Sequence, residues 1–240
     1  MLSDYHVAIL AGGRSERFGM NKALFMINGE SFLSRTIKKT CQLSIIPKRI
    51  FISLNDKTQF HGIIEHLQKE LNIQQITDSR WELISGEGKR IQIQFLYDIP
   101  QNLKNVRAAI FGINSVCNHI EQGFFHCVPC DTPFFPTSIM NEFISMLYGR
   151  QIEIDAIIPK WNNGFIEPLH GLYRVESLKP IIHMNLEMGN YKLSDLLRDD
   201  LKVHYFNIDE HLCSTDGRIR SFQNINSKKD LINMISKEQE

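Results

Sequence analysis

The sequence has no surplus of charge. Its 27 lysines and arginines face 27 aspartates and glutamates, a formal net charge of zero at pH 7. That excludes nucleic-acid binding through bulk positive charge, although a local basic site stays open. No apolar run approaches the roughly 18 residues of a membrane span, so no contact with a bilayer is expected. The N-terminus has no basic segment followed by a long apolar one, and no signal peptide is expected. Cysteine is scarce and odd in number, five in all. This argues against a disulfide framework and for a reducing cytoplasm. Cys127 and Cys130 form a C-x-x-C, but no second pair completes a zinc site. The string FFHCVPCDTPFF sets them in and just after a strand-like run, where a redox motif should open a helix. Packing is the expected role, with a thiol redox pair as the alternative. No internal repeat or low-complexity linker divides the chain.

With 42% hydrophobic and 22% charged residues, the composition is that of a globular chain long enough to bury a full core. Short apolar runs alternate with longer amphipathic ones. Strands are expected at Tyr5–Leu10, Arg49–Leu54, Gln92–Tyr97, Phe124–Val128, Asp155–Pro159 and Lys202–Ile208. Helices are expected at Ser31–Cys41, Lys57–Leu71, Lys104–His119 and Pro136–Tyr148, the last opening on a proline. The alternation implies an α/β fold, a mostly parallel sheet with helices on both faces. The polar segment Gln74–Arg90 reads as an inserted loop or small hairpin on the domain edge. After Pro159 the pattern turns irregular around KWNNGFIEPLHGLYR, and Lys228–Lys237 reads as a short final helix.

Parallel sheets bind ligands at the carboxyl ends of their strands. The first strand runs directly into LAGGRSERFGMNK. Gly12 and Gly13 allow a sharp turn and let backbone amides approach an anion. Arg14, Arg17 and Lys22 add positive charge suited to phosphate. The string is neither a P-loop nor the G-x-G-x-x-G fingerprint. A phosphate-holding loop is the favoured reading, and a surface turn the alternative. Asp131, just past the fourth strand, lies on the same edge. There a carboxylate can hold Mg²⁺ against nucleotide phosphates, or serve only as a turn residue. Asn55 and Asp98 follow two further strands.

These residues carry a family resemblance. Leu10, Ala11, Gly12, Gly13, Ser15, Arg17, Gly19 and Lys22 match the signature L-A-G-G-x-S-x-R-M-G-x-D-K of MobA-like nucleotidyltransferases, those related to molybdenum cofactor guanylyltransferase. Phe18 stands where methionine is usual and Asn21 where aspartate is usual. VPCDTPFF resembles the family's C-D-x-P-F, whose aspartate is the metal ligand. EPLHGLYR (Glu167 to Arg174) and FQNINSKKDL (Phe222 to Leu231) resemble two C-terminal segments. One departure is NVRAAIFGI from Asn105, where the family has G-P-L-A-G; it leaves Arg107 either touching nucleotide or lying on a helix face.

The resemblance implies a Rossmann-like three-layer sandwich of the nucleotide-diphospho-sugar transferase type. It implies one nucleotidyltransferase domain over residues 1–240, with nucleotide-binding part about 1–135 and acceptor-binding part about 136–240. It implies transfer of GMP from GTP to a molybdopterin-type phosphorylated acceptor, with Mg²⁺ and release of pyrophosphate. Lys22, Arg17 and Asp131 would be catalytic. Leu10, Ala11, Gly12, Gly13, Lys22, Asn55, Asp98 and Asp131 would bind the nucleotide, and Asp131 the metal. His170, Tyr173 and Asn226 would face the acceptor. Protein partners in cofactor delivery are a further implication; nucleic acid and membrane are not. A relative using CTP or another phosphorylated acceptor, and a non-catalytic nucleotide-binding protein, are the alternatives.

Overall fold

The computed structural model describes residues 4–13, 21–85, 88–98, 106, 108–149, 153–197, 200–215, 222, 224–225 and 229–230. Its strands are β1 (Tyr5–Leu10), β2 (Met26–Ile27), β3 (Glu30–Ser31), β4 (Arg49–Leu54), β5 (Ile73–Gln75), β6 (Arg80–Ile84), β7 (Arg90–Tyr97), β8 (Phe124–Pro129), β9 (Ala156–Lys160), β10 (Leu172–Arg174) and β11 (Val203–Asn207). The helices are α1 (Phe32–Cys41), α2 (Lys57–Glu70), α3 (Ala109–Cys117), α4 (Thr137–Gly149), α5 (Val175–Glu187) and α6 (Ile208–Thr215).

β2 and β3 form a small hairpin. The other strands make one sheet in the order β11-β9-β10-β8-β1-β4-β7-β6-β5. Its centre, β8-β1-β4-β7, is parallel throughout. Only β10 and β6 run against the rest. The central strands are apolar on both faces because both faces are covered. Along β1, Val7 and Ile9 face one core with α1, α2 and α4, while Ala8 faces the other with α3 and α5. The architecture is therefore the expected three-layer α/β sandwich.

Local chemistry explains the boundaries. Ser31 caps α1 by accepting the N–H of Ser34, and Asp56 caps α2 by accepting those of Thr58 and Gln59. The segment expected as an edge loop or hairpin is an antiparallel extension of the sheet: β5 and β6 continue it beyond β7. Trp81 anchors it, buried and edge-on to Phe95. The stretch after Pro159 is more regular than its composition implies. It contains β10, which runs antiparallel between β8 and β9, and α5, with Pro180 inside the helix. The expected final helix lies mostly outside the described residues. No helix among the described residues is long and apolar enough to cross a membrane.

Candidate active site

Because β8, β1, β4 and β7 are parallel neighbours, their carboxyl ends lie side by side. The segments leaving those ends are stitched together. The N–H of Ala11 donates to Ser53 O at 2.9 Å, that of Asp98 to Leu54 O at 2.8 Å, and that of Cys130 to Leu10 O at 3.0 Å. Gln59, in the first turn of α2, bridges two of them. Its Oε1 accepts the N–H of Asn55 at 2.9 Å and its Nε2 donates to Ala11 O at 2.8 Å. Thus Leu10, Ala11, Gly12, Gly13, Asn55, Asp98 and Asp131 are brought to one edge, as their places after strands imply. Arg14 and Arg17, with the loop between Gly13 and Asn21, lie outside the described residues, as do Arg107 and Asn226.

Asp98 explains two glycines. The Ser53 hydroxyl donates to its Oδ1. A Cβ on Gly12 would press on Asp98 Oδ2 and come within 3.1 Å of the Asn55 nitrogen. A Cβ on Gly112, in α3, would lie 2.5 Å from Ser53 Oγ and 3.3 Å from Asp98 Oδ1. Both positions need the absence of a side chain, which lets loop and helix close on the carboxylate.

Lys22 opens a single 3-10 turn, Lys22–Leu24, capped by Asn21, whose Oδ1 accepts the N–H of Ala23 at 3.0 Å. Asn21, where the family signature has aspartate, thus caps this turn. The Lys22 ammonium meets Asp131 Oδ2 at 3.2 Å, both side chains about one-quarter exposed or less (19% and 26%). A cation and an anion from segments 109 residues apart thus share the rim beside the glycine loop.

The turn carrying Asp131 is braced from several sides. The Thr132 hydroxyl donates to Pro129 O at 3.0 Å and lies 3.0 Å from Nε2 of His170. The N–H of Ile225 donates to Asp131 O at 2.9 Å, which docks the segment containing Asn224 on this turn. His170 is itself buried, packed against Phe135 and Phe222, and burial pushes its imidazole down to about 3. It stays neutral and supports the turn. Tyr173 is likewise enclosed: its ring stacks on Phe125 and its hydroxyl donates to Pro168 O at 2.5 Å. In the same segment, Glu167 is half-buried, its Oε1 accepts the Trp161 indole N–H at 3.1 Å, and burial raises its carboxyl.

The cysteines read as packing residues. Cys127 and Cys130 are both buried free thiols whose ionisation burial pushes strongly upward. Cys127 belongs to the core on one face of the sheet and Cys130 to the core on the other. No group of three or more His, Cys, Asp or Glu suited to hold a metal occurs among the described residues.

Comparison with known proteins agrees with this geometry. The MobA-like NTP transferase domain family matches residues 7–203. A probable molybdenum cofactor guanylyltransferase of Pyrococcus horikoshii is 30% identical over 227 residues, covering 93% of this chain and 95% of the relative. One from Methanosarcina mazei is 27% identical over 231 residues, covering 95% and 88%. Among solved structures, molybdopterin-guanine dinucleotide biosynthesis protein A of Archaeoglobus fulgidus has the same fold, with a TM-score of 0.66 at 22% identity over 97% of this chain and 99% of that one. With a family match over most of its length and a relative 30% identical across 93% of it, the chain belongs to the MobA-like NTP transferase family and is a nucleotidyltransferase.

Proposed function

We propose that the enzyme transfers GMP from GTP to a molybdopterin-type phosphorylated acceptor, releasing pyrophosphate. The observation that carries this reading is the Lys22–Asp131 pair at the mouth of the glycine loop, in a chain whose relatives are named for guanylyl transfer. The acceptor phosphate is anionic near neutral pH and needs no strong base. Its oxygen attacks the α-phosphorus in line with departing pyrophosphate: the new P–O bond forms as the bond to the β-phosphate bridging oxygen breaks. Catalysis is then positioning and charge neutralisation. The Gly12–Gly13 amides and Arg17 take the β- and γ-phosphates, and Lys22 lies near the α-phosphate. Asn55 and Asp98 take the guanosine part. Asn226 is proposed on the acceptor side.

The donor chemistry at Asp131 fits Mg²⁺, which takes one or two carboxylates with phosphate oxygens and water and needs no protein cage. Asp131 would hold it, and when bound the ion supplies charge neutralisation across the phosphates. The free buried thiols fit a reducing cytoplasm. Residues 1–135 form the nucleotide-binding part and 136–240 the acceptor part of one domain.

Thermal shift with GTP, CTP, ATP and UTP, each with Mg²⁺, tests the base. A ligand at about 100 times its Kd adds about 2.7 kcal/mol. For a chain of this size that is about 5–10 °C in Tm. GTP is expected to give that rise and the others less. A larger rise with CTP would overturn the guanylyl assignment and leave the transfer chemistry standing.

A further inference from the structure

One lysine of α1 turns away from solvent chemistry and into the turn that carries Asp131. Lys39 is in the last turn of the helix, beside the exposed Lys38. Its ammonium donates to Pro133 O at 2.6 Å and to Phe135 O at 3.0 Å. Among the described residues no carboxylate lies within ion-pair distance of it. Burial pushes the group down to about 8; nearby Arg35 adds to this and Glu30 opposes it. Lys39 is partly buried, and an ammonium there without an ion-pair partner carries a desolvation cost that an apolar side chain of equal length would not. The cost is offset only by what the charge holds, which is the backbone of residues 133–135.

Phe135 N–H donates to Thr132 O at 3.0 Å, closing the turn, while Thr132, His170 and Ile225 grip its first half. Among the described residues, Lys39 is the side chain whose hydrogen bonds tie the second half to α1, the helix that follows the glycine loop and the β2–β3 hairpin. A lysine suits this place. It is a compact point charge with several donors able to satisfy two converging carbonyls, where the flat fork of arginine would not.

We propose that Lys39 is a positioning residue that clamps the Pro133–Phe135 backbone to α1 and thereby holds the Asp131 carboxylate in range of Lys22 and of the nucleotide phosphates. This rests on the reading of Asp131 as the phosphate- and metal-facing carboxylate. Groups that orient a metal-binding carboxylate act through it, and their loss typically lowers metal affinity or turnover by about 10–100-fold.

The test compares the parent with Lys39→Met, Lys39→Gln and Asp131→Asn. Two readouts are taken: the Mg²⁺-dependent part of the Tm rise given by GTP without acceptor, and kcat and KM for pyrophosphate release. In Lys39→Met the Mg²⁺ needed for half the effect should rise about tenfold and kcat fall about 10–100-fold, with KM for GTP within about twofold. Lys39→Gln, which keeps one amide donor, should shift both in the same direction by less, and it serves if the methionine variant does not fold. The proposal is overturned if either folded variant keeps the parental Mg²⁺ midpoint and kcat while Asp131→Asn loses both. If Asp131→Asn keeps both, the reading of Asp131 itself fails. A lowered Tm with unchanged Mg²⁺ midpoint and kcat would make Lys39 structural only and also overturn the proposal.

Discussion

Lys22 and Asp131 reach each other from a 3-10 turn after β1 and a turn after β8, and their separation of 3.2 Å makes each a measure of the other's place. In the proposed arrangement, an ammonium near the α-phosphate would stabilise charge that shifts during transfer more than charge already present in bound nucleotide. Lys22→Ala is therefore expected to lower kcat by about 10²–10³-fold. Its KM for GTP should change far less, as for an interaction strengthened in the transition state. Steady-state pyrophosphate release reads both numbers; a raised KM with parental kcat would place Lys22 in ground-state binding instead. These residues were legible in the sequence as types at strand ends, and as matches to a family signature. The ion pair between them was not, because nothing local links positions 109 residues apart. His170 and Tyr173 were legible as residues of an acceptor-like segment, yet both are enclosed. Lys39 lies within the expected helix Ser31–Cys41, and the fold brings the Pro133 and Phe135 carbonyls to it.

Among the elements, the parallel strands were the easiest to read. β1 and β4 have the expected limits because helices on both sides demand unbroken apolar runs. α5 was obscured by Pro180, a residue that ordinarily marks a helix end, here tolerated inside the helix while Val175, Leu178, Ile181 and Ile182 bury its apolar face. The β5–β6 extension was hidden by polar residues, since Gln74, Gln75 and Arg80 are exposed on an edge that needs few apolar groups. Trp81, with Leu83 and Ile73, is buried and fixes the hairpin to the core. Trp81→Ala should cost about 3–5 kcal/mol of stability by opening a cavity there. It should leave GTP affinity unaltered, because Trp81 pairs with Ile93, on β7 well before the strand end that leads to Asp98. Urea unfolding and a GTP titration of the same variant check the two halves of that statement. Weakened GTP binding in the folded variant would tie the extension to the site.

For the molecule as a whole, the buried histidines set its behaviour in acid. Burial pushes His6 down to about 4, and His126 and His170 to about 3. His126 stacks on Phe143, and burial outweighs the opposing influence of the His170 backbone. In the unfolded chain these imidazoles take up protons near 6.5, whereas the folded chain refuses them until far lower. The unfolded state therefore binds more protons throughout that window, and stability falls as pH falls. The histidine contribution is complete above about 6.5 and drains away toward 3–4. The urea midpoint should decline steadily from pH 7 to 4.5, and His126→Phe should make that decline shallower. A flat profile over this range would contradict the buried neutral state.

One sheet runs without a break from β5 to β11. The most direct measurement is pyrophosphate release from GTP and from CTP, each with Mg²⁺, with and without a molybdopterin-type acceptor. Release with GTP only when acceptor and Mg²⁺ are both present, and little with CTP, is the expected result. Preferential release from CTP, or GTP binding with no pyrophosphate under any of these conditions, would contradict guanylyl transfer.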